Sequence, residues 1–142
     1  MMHQYFSELV HNPMIVLTMM AIMLDTIFGL LRAIKERKFN SNFGIDGAIR
    51  KSGMVISVLF LMFADYVVHI NLIGFLPQDM REAIHIDKIG MGEFFCLLYI
   101  LYECVSILKN MYLCDLPISP KIKDKLERLL KDMTQEVKAE GK

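Results

Sequence analysis

The apolar segment 89–108 constrains the fold most strongly, because it carries two carboxyl groups and lies between Lys88 and Lys109 without any cation of its own. Its length is about the 20 residues that a helix needs to cross a bilayer. At 100° per residue, its polar side chains share one helix face with apolar ones. This face comprises Glu93, Cys96, Ile100, Glu103, Ile107 and Asn110. A carboxyl group facing lipid costs about 2.5–3.5 kcal/mol, so we expect the face to pack on other helices or to line water.

Two more apolar segments of similar length precede it, and hydrophobic residues make up 54% of the 142-residue chain. The predicted fold class is an all-α integral membrane protein with three transmembrane helices and a C-terminal amphipathic cytoplasmic helix. The predicted segments are an extracytoplasmic N-terminus 1–12, transmembrane helix 13–34, basic cytoplasmic loop 35–52, transmembrane helix 53–76, outer loop 77–88, transmembrane helix 89–108 and cytoplasmic tail 109–142.

Two helix starts have clear sequence signals. Asn12 followed by Pro13 is typical of a cap and a first-turn proline, and Ser119 followed by Pro120 predicts the tail helix from about residue 120. No cationic region or small-residue cleavage site accompanies the first apolar segment, so we expect no cleaved signal peptide.

Cations set the predicted orientation in the membrane. The loop after the first segment, counted with Arg32, holds six Lys and Arg residues, and the C-terminal segment from Lys109 holds eight, whereas the N-terminus has none and the outer loop has two. Three crossings place both cation-rich segments on one side. We therefore expect the N-terminus outside and the C-terminus in the cytoplasm.

Each predicted span carries one acid near its interior: Asp25, Asp65 and Glu103. At about 1.5 Å per residue they lie roughly 14, 18 and 8 Å from the cytoplasmic ends of their helices, so they can meet or ring a common lumen. Arg32 lies at the rim of the first span, and no other Lys or Arg is expected inside the spans. We therefore expect these acids to be largely protonated and hydrogen-bonded between helices while the protein is dry. They would ionise if an assembly opened to water.

A stripe of small residues runs along the first span. Ala21, Gly29 and Ala33 recur with Asp25 at every fourth position, which lets two helices approach closely. The stripe is either an ordinary contact within the chain or a self-association face, and the sequence leaves both open.

Asp65 and His69 lie four residues apart, which predicts that the two side chains satisfy each other by hydrogen bonding, with a proton relay as the alternative. The spacing of the three cysteines matches no zinc motif, and we expect these side chains to pack. No arrangement of residues suggests catalysis, so the predictions are no enzyme, no metal, no cofactor and no nucleic-acid partner.

The chain resembles the toxin-secretion and phage-lysis holins, small three-span membrane proteins of Gram-positive phages and clostridial toxin loci. The first matching stretch is ECVSILKNMYLCDLPISP, in which Glu103, Ser106 and Asn110 precede a proline-rich break. The second runs from Asp25 through Gly29 and the basic turn to Lys51, and Asp65 also falls where such chains carry an acid.

This resemblance implies a protein that accumulates in the cytoplasmic membrane, forms homo-oligomers and opens lesions at a set time. The lesions would release an endolysin or a toxin without requiring direct contact with it. The alternatives are a regulatory membrane subunit that does not permeabilise, such as an antiholin, and a small proton-coupled channel or transporter.

Overall fold

The computed structural model describes residues 2–37, 41–83, 85–128 and 131, and its regular elements are all α-helices. They are α1 (Met2–His11), α2 (Pro13–Lys35), α3 (Ser41–Val68), α4 (Gln78–Ala83) and α5 (Met91–Leu113), followed by a helical segment at 120–128. Among the described residues, α2, α5 and the Gly44–Val68 part of α3 are long and apolar enough to cross a membrane. The predicted fold class is therefore confirmed.

The bounds of α3 differ from the helix predicted at 53–76. α3 begins at Ser41, inside the segment that we read as a loop, and ends at Val68. The helix can begin this early because exposed glycines such as Gly44 destabilise it by only about 1 kcal/mol each, and no proline interrupts the segment. His69 stops the helix by taking a left-handed conformation with φ of 58°.

This shift changes which charges lie on the second span. Arg50 and Lys51 belong to the helical segment Gly44–Val68 rather than to a loop. The two cations that we predicted in a loop therefore lie on a helix.

Sequence reasoning also missed α1, which lies in the N-terminal segment 1–12. Its Tyr5 hydroxyl donates a hydrogen bond to the Leu59 carbonyl oxygen of α3 at 3.1 Å. The Tyr5 ring packs against Phe63 and Tyr66, with ring centroids 5.7 and 5.4 Å apart. The signal was Tyr5 and Leu9 one helical turn apart, which presents one apolar stripe to α3.

The chain divides into two compact units, the first formed by Met1–Met23 and Asn40–Glu103. Within this unit α5 runs antiparallel to α3, since the Ser57 and Tyr99 hydroxyls lie 2.8 Å apart and Asp65 meets Gly92. The start of α2 runs parallel to α5, with the Thr18 hydroxyl 3.5 Å from the Cys96 carbonyl oxygen. These directions are those of three successive membrane crossings.

The core of the first unit is small and apolar. Ile15, Val58 and Cys96, one from each long helix, form its buried centre. Outside it, large apolar side chains remain exposed, among them Phe60 at 68% and Ile56 at 66%. An apolar exterior of this kind requires a non-aqueous surrounding, which a bilayer supplies.

The second unit is formed by Leu24–Phe39 and Cys104–Lys142. Its described part contains the second halves of α2 and α5 and the segment 120–128. Ile122 and Lys123 donate their backbone N–H groups to the Ser119 carbonyl oxygen at 3.0 Å, which confirms the predicted helix start. Leu126 is buried, and the Tyr112 hydroxyl donates to Glu127 Oε1 at 3.0 Å.

Close packing of α5 against α3 depends on Gly92. A Cβ at this position would lie 2.7 Å from Met62 Cγ and 3.0 Å from the Met62 backbone nitrogen, so the backbones would have to separate. We expect Gly92→Ala to destabilise the protein by about 1–3 kcal/mol. Thermal unfolding in detergent micelles, followed by circular dichroism, measures the change.

Gly53→Ala is the matched control, because nothing lies within 4 Å of a Cβ at Gly53 and alanine favours helix. Equal losses of stability in Gly92→Ala and Gly53→Ala would contradict this account of the packing.

Candidate functional site

The first turn of α5 is held by a carboxylate from another helix. Asp65, in the last turn of α3, accepts the backbone N–H of Met91 at 3.0 Å and that of Gly92 at 2.7 Å. A helix start leaves its first N–H groups without partners inside the helix, and in a membrane an unsatisfied donor is costly. Asp65 therefore takes the place of the N-cap side chain of α5 and joins α3 to it.

Gly90 makes room for this arrangement. It precedes α5, is buried, and has no side chain with which to cap the helix. A Cβ on Gly90 would lie 2.7 Å from Asp65 Cγ, too close for any real contact. Glycine at this position thus lets a carboxylate from α3 approach the helix start directly.

A second carboxylate completes the cap and connects α2. Glu93 Oε2 accepts the backbone N–H of Gly90 at 2.9 Å, as the glutamate of a capping box does. Glu93 Oε1 accepts Asn12 Nδ2 at 3.0 Å. Asn12 Oδ1 in turn accepts the backbone N–H of Met14 at 2.9 Å, which confirms its predicted role as the α2 cap. We call Asn12, Asp65, Gly90 and Glu93 the carboxylate clamp.

An open cavity of about 660 Å³ borders the carboxylate clamp. Its walls combine tyrosine rings, both clamp acids and two basic side chains. The polar and aromatic residues around it are Tyr5, Asn12, Asp65, Tyr66, His69, Lys88 and Glu93.

The structure does not bring Asp65 and His69 together as a side-chain pair. Both Asp65 oxygens bind the start of α5, while His69 lies one residue beyond α3, exposed, with Nδ1 3.4 Å from the Val67 carbonyl oxygen. The expected mutual hydrogen bond is therefore wrong, because the helix ends before reaching His69. The i,i+4 rule applies only where both residues are helical.

Asp65 and Glu103 lie at different levels. Asp65 contacts Gly92, whereas Glu103 lies eleven residues further along α5, or about 16 Å along its axis. Glu103 is fully buried at 0% exposure. Within one chain these two acids therefore do not meet, because α3 ends at Val68 and Asp65 falls in its last turn instead of its middle.

The second unit contains the third predicted acid. Asp25 is buried, and its Oδ1 accepts Asn110 Nδ2 from α5 at 3.1 Å. A Cβ on Gly29 would face the same Asn110 amide at 3.9 Å. Asp25 and Gly29, two members of the small-residue stripe, thus make a contact within the chain, while Ala21, Ala33 and Ser106 are half-buried.

Lys35 caps the end of α5 in the same unit. Its Nζ donates to the Leu113 carbonyl oxygen at 2.9 Å and forms an ion pair with Asp115. A cation at a helix C-terminus satisfies carbonyl groups that the helix leaves open. The hydrogen bond and the charge of Lys35 hold the pKa of Asp115 below its usual value, so this contact weakens as the pH falls through that lowered pKa.

The three cysteines do not form a site. Cys96 is buried in the core, Cys104 is exposed and Cys114 is half-buried, and all three are free thiols. Across the described part of the chain, no cluster of three His, Cys, Asp or Glu side chains has the geometry to hold a metal ion.

The carboxylate clamp generates a stability prediction. We expect Asp65→Asn to lower the free energy of unfolding in detergent by about 1–3 kcal/mol. The NH₂ group of the asparagine would face a backbone N–H group of α5, and two donors cannot form a hydrogen bond with each other. Asp46→Asn is the control, since Asp46 is exposed on α3. An Asp65→Asn protein as stable as Asp46→Asn would show that the clamp contributes little.

Comparison with known proteins identifies the family to which the chain belongs. Residues 2–131 match the bacteriophage holin family. A curated relative, the holin-like protein TcdE of Clostridioides difficile, is 46% identical over 138 residues, which cover 97% of this chain and 83% of the relative. No solved structure matches significantly.

The resemblance seen in the sequence is confirmed. Proteins of this family are non-enzymatic membrane proteins, which also confirms the prediction that the chain is not an enzyme. With three helices that can span a membrane and a match over nearly its whole length, the chain belongs to the bacteriophage holin family.

Proposed function

We propose that the chain acts as a holin that accumulates in the cytoplasmic membrane of a bacterial host, associates with copies of itself and opens lesions at a timed moment. The lesions release an endolysin or a toxin, which the protein need not contact directly. Membership of the holin family and the holin-like relative TcdE support this function.

The observation that carries the proposal is the burial of acids in helices whose outer surfaces are apolar. Asp25, Asp65 and Glu103 are 4%, 6% and 0% exposed. A single copy therefore suits a bilayer in a dry state, with these three acids turned away from lipid. Such a protein can accumulate without leaking ions.

Lesion formation then requires the polar groups to exchange protein partners for water. In the first unit these partners are the N–H groups of the α5 start, which the carboxylate clamp holds, and in the second unit the Asn110 amide bound to Asp25. Water and neighbouring copies can replace such hydrogen bonds at small net cost once the surface is wet. The dry and wet arrangements form the two states of the proposed switch.

The distribution of charge supports the orientation. Placing Lys35 and the cations near it at the cytoplasmic face agrees with the rule that cation-rich segments stay inside. The cation-rich segments that follow α2 and α5 then lie in the cytoplasm, as proposed for the loop and the tail.

The alternatives have less support. The proton-coupled channel relied on the Asp65 and His69 pair, whose side chains do not form that pair. A regulatory subunit such as an antiholin would insert in the same way but leave the membrane intact.

Induced expression of the full chain in bacteria, with a potential-sensitive dye, tests the proposal. We expect growth to stop abruptly as the membrane potential collapses, and co-expression of a muralytic enzyme to convert that arrest into lysis. The control strain expresses the enzyme alone. Continued growth with the protein inserted in the membrane would contradict the holin assignment and favour the regulatory subunit.

A further inference from the structure

Arg50 and Lys51 are adjacent on α3 but have different surroundings. Lys51 is half-buried and its Nζ donates to the Ile22 carbonyl oxygen of α2 at 3.1 Å. Arg50 is exposed, and its guanidinium carbon lies 5.4 Å from the centre of the Tyr102 ring on α5. Among the described residues no carboxylate lies within ion-pair distance of Arg50.

The surface around Arg50 is apolar. Its neighbour Ile49 is 66% exposed, and Leu101, next to Tyr102, is 56% exposed. These side chains belong on the lipid-facing surface of a membrane protein. A guanidinium on such a surface keeps its charge and has five N–H donors, so it needs hydrogen-bond acceptors and pairs most strongly with an anion.

The position of Arg50 along α3 indicates which acceptor is available. A helix crosses the hydrocarbon core in about 20 residues, and counting back from Val68 reaches Ile49. Arg50 then falls where the hydrocarbon meets the headgroups of the cytoplasmic leaflet. Phosphate groups are the anions that a bilayer presents at that level, and arginine binds phosphate through paired hydrogen bonds.

We propose that Arg50, positioned by the ring of Tyr102, binds the phosphate of an anionic phospholipid in the cytoplasmic leaflet. The inference rests on the proposed function for the orientation of the chain. Tyr102 contributes by stacking: its ring attracts the guanidinium and restricts its directions, so fewer rotamers are lost when the phosphate binds. Lys51 takes no part, because its ammonium group already binds α2.

Native mass spectrometry of the full-length protein in detergent, with phosphatidylglycerol added, tests this site. We expect Arg50→Gln to lower lipid retention about tenfold, because a charge-assisted phosphate contact is lost. Arg37→Gln is the matched control, since it removes the same charge from an exposed position after α2. Equal retention by Arg50→Gln and Arg37→Gln would overturn the proposal.

Two further variants test the ring and guard against misfolding. Tyr102→Leu should weaken retention several-fold, whereas Tyr102→Phe, which keeps an aromatic face, should not. If Arg50→Gln loses the helix content seen by circular dichroism, lipid retention by the two Tyr102 variants tests the site instead. Equal retention by Tyr102→Leu and Tyr102→Phe would overturn the proposal.

A separate arm adds millimolar inorganic phosphate to the protein with phosphatidylglycerol bound. Displacement of phosphatidylglycerol by inorganic phosphate would show a site for the free ion and overturn the lipid assignment. Retention of the lipid in its presence supports the assignment. This experiment is independent of lesion formation: if expression leaves the membrane potential intact while retention still depends on Arg50, the proposed function fails and the lipid site stands.

Discussion

The contact between the Asp65 carboxylate and the first turn of α5 is the interaction on which the first unit depends. Inside a membrane, the start of a helix must find acceptors for its open N–H groups, and Gly90, just before α5, has no side chain that could cap it. Asp65 supplies both oxygens from another helix. The same contact fixes the level of α3 relative to α5 and explains why Gly90 must lack a side chain, whereas Gly92 lacks one because it packs against Met62.

Much of the fold followed from hydrophobic length and cap signals. The bounds of α2 were nearly correct because Asn12 and Pro13 mark its start in the sequence, and Lys35 ends its apolar run. The bounds of α3 were not, because glycines at 44 and 47 favoured a loop, whereas the structure continues the helix through both. The cost of about 1 kcal/mol per glycine is a weak preference that tertiary packing of a helix can outweigh.

The partners of the polar groups were harder to predict than their burial. The sequence placed acids on faces that avoid lipid, and the structure does bury Asp25, Asp65 and Glu103. It did not reveal that Asp65 binds backbone N–H groups, because that contact depends on where two separate helices end. The stripe containing Gly29 likewise left two partners open, since spacing along one helix cannot identify the helix that packs on it.

The central claim is that a dry, intrachain arrangement of polar groups gives way to a wet one when lesions open. Cys96 reports on this directly, because it is a native thiol, fully buried at 0% exposure on the acid-bearing face of α5. With Cys104→Ser and Cys114→Ser in the background, a water-soluble maleimide that cannot cross membranes is applied to expressing cells. The account predicts no labelling of Cys96 before the membrane potential collapses and rapid labelling afterwards. Labelling before the collapse, or none after it, would contradict the account.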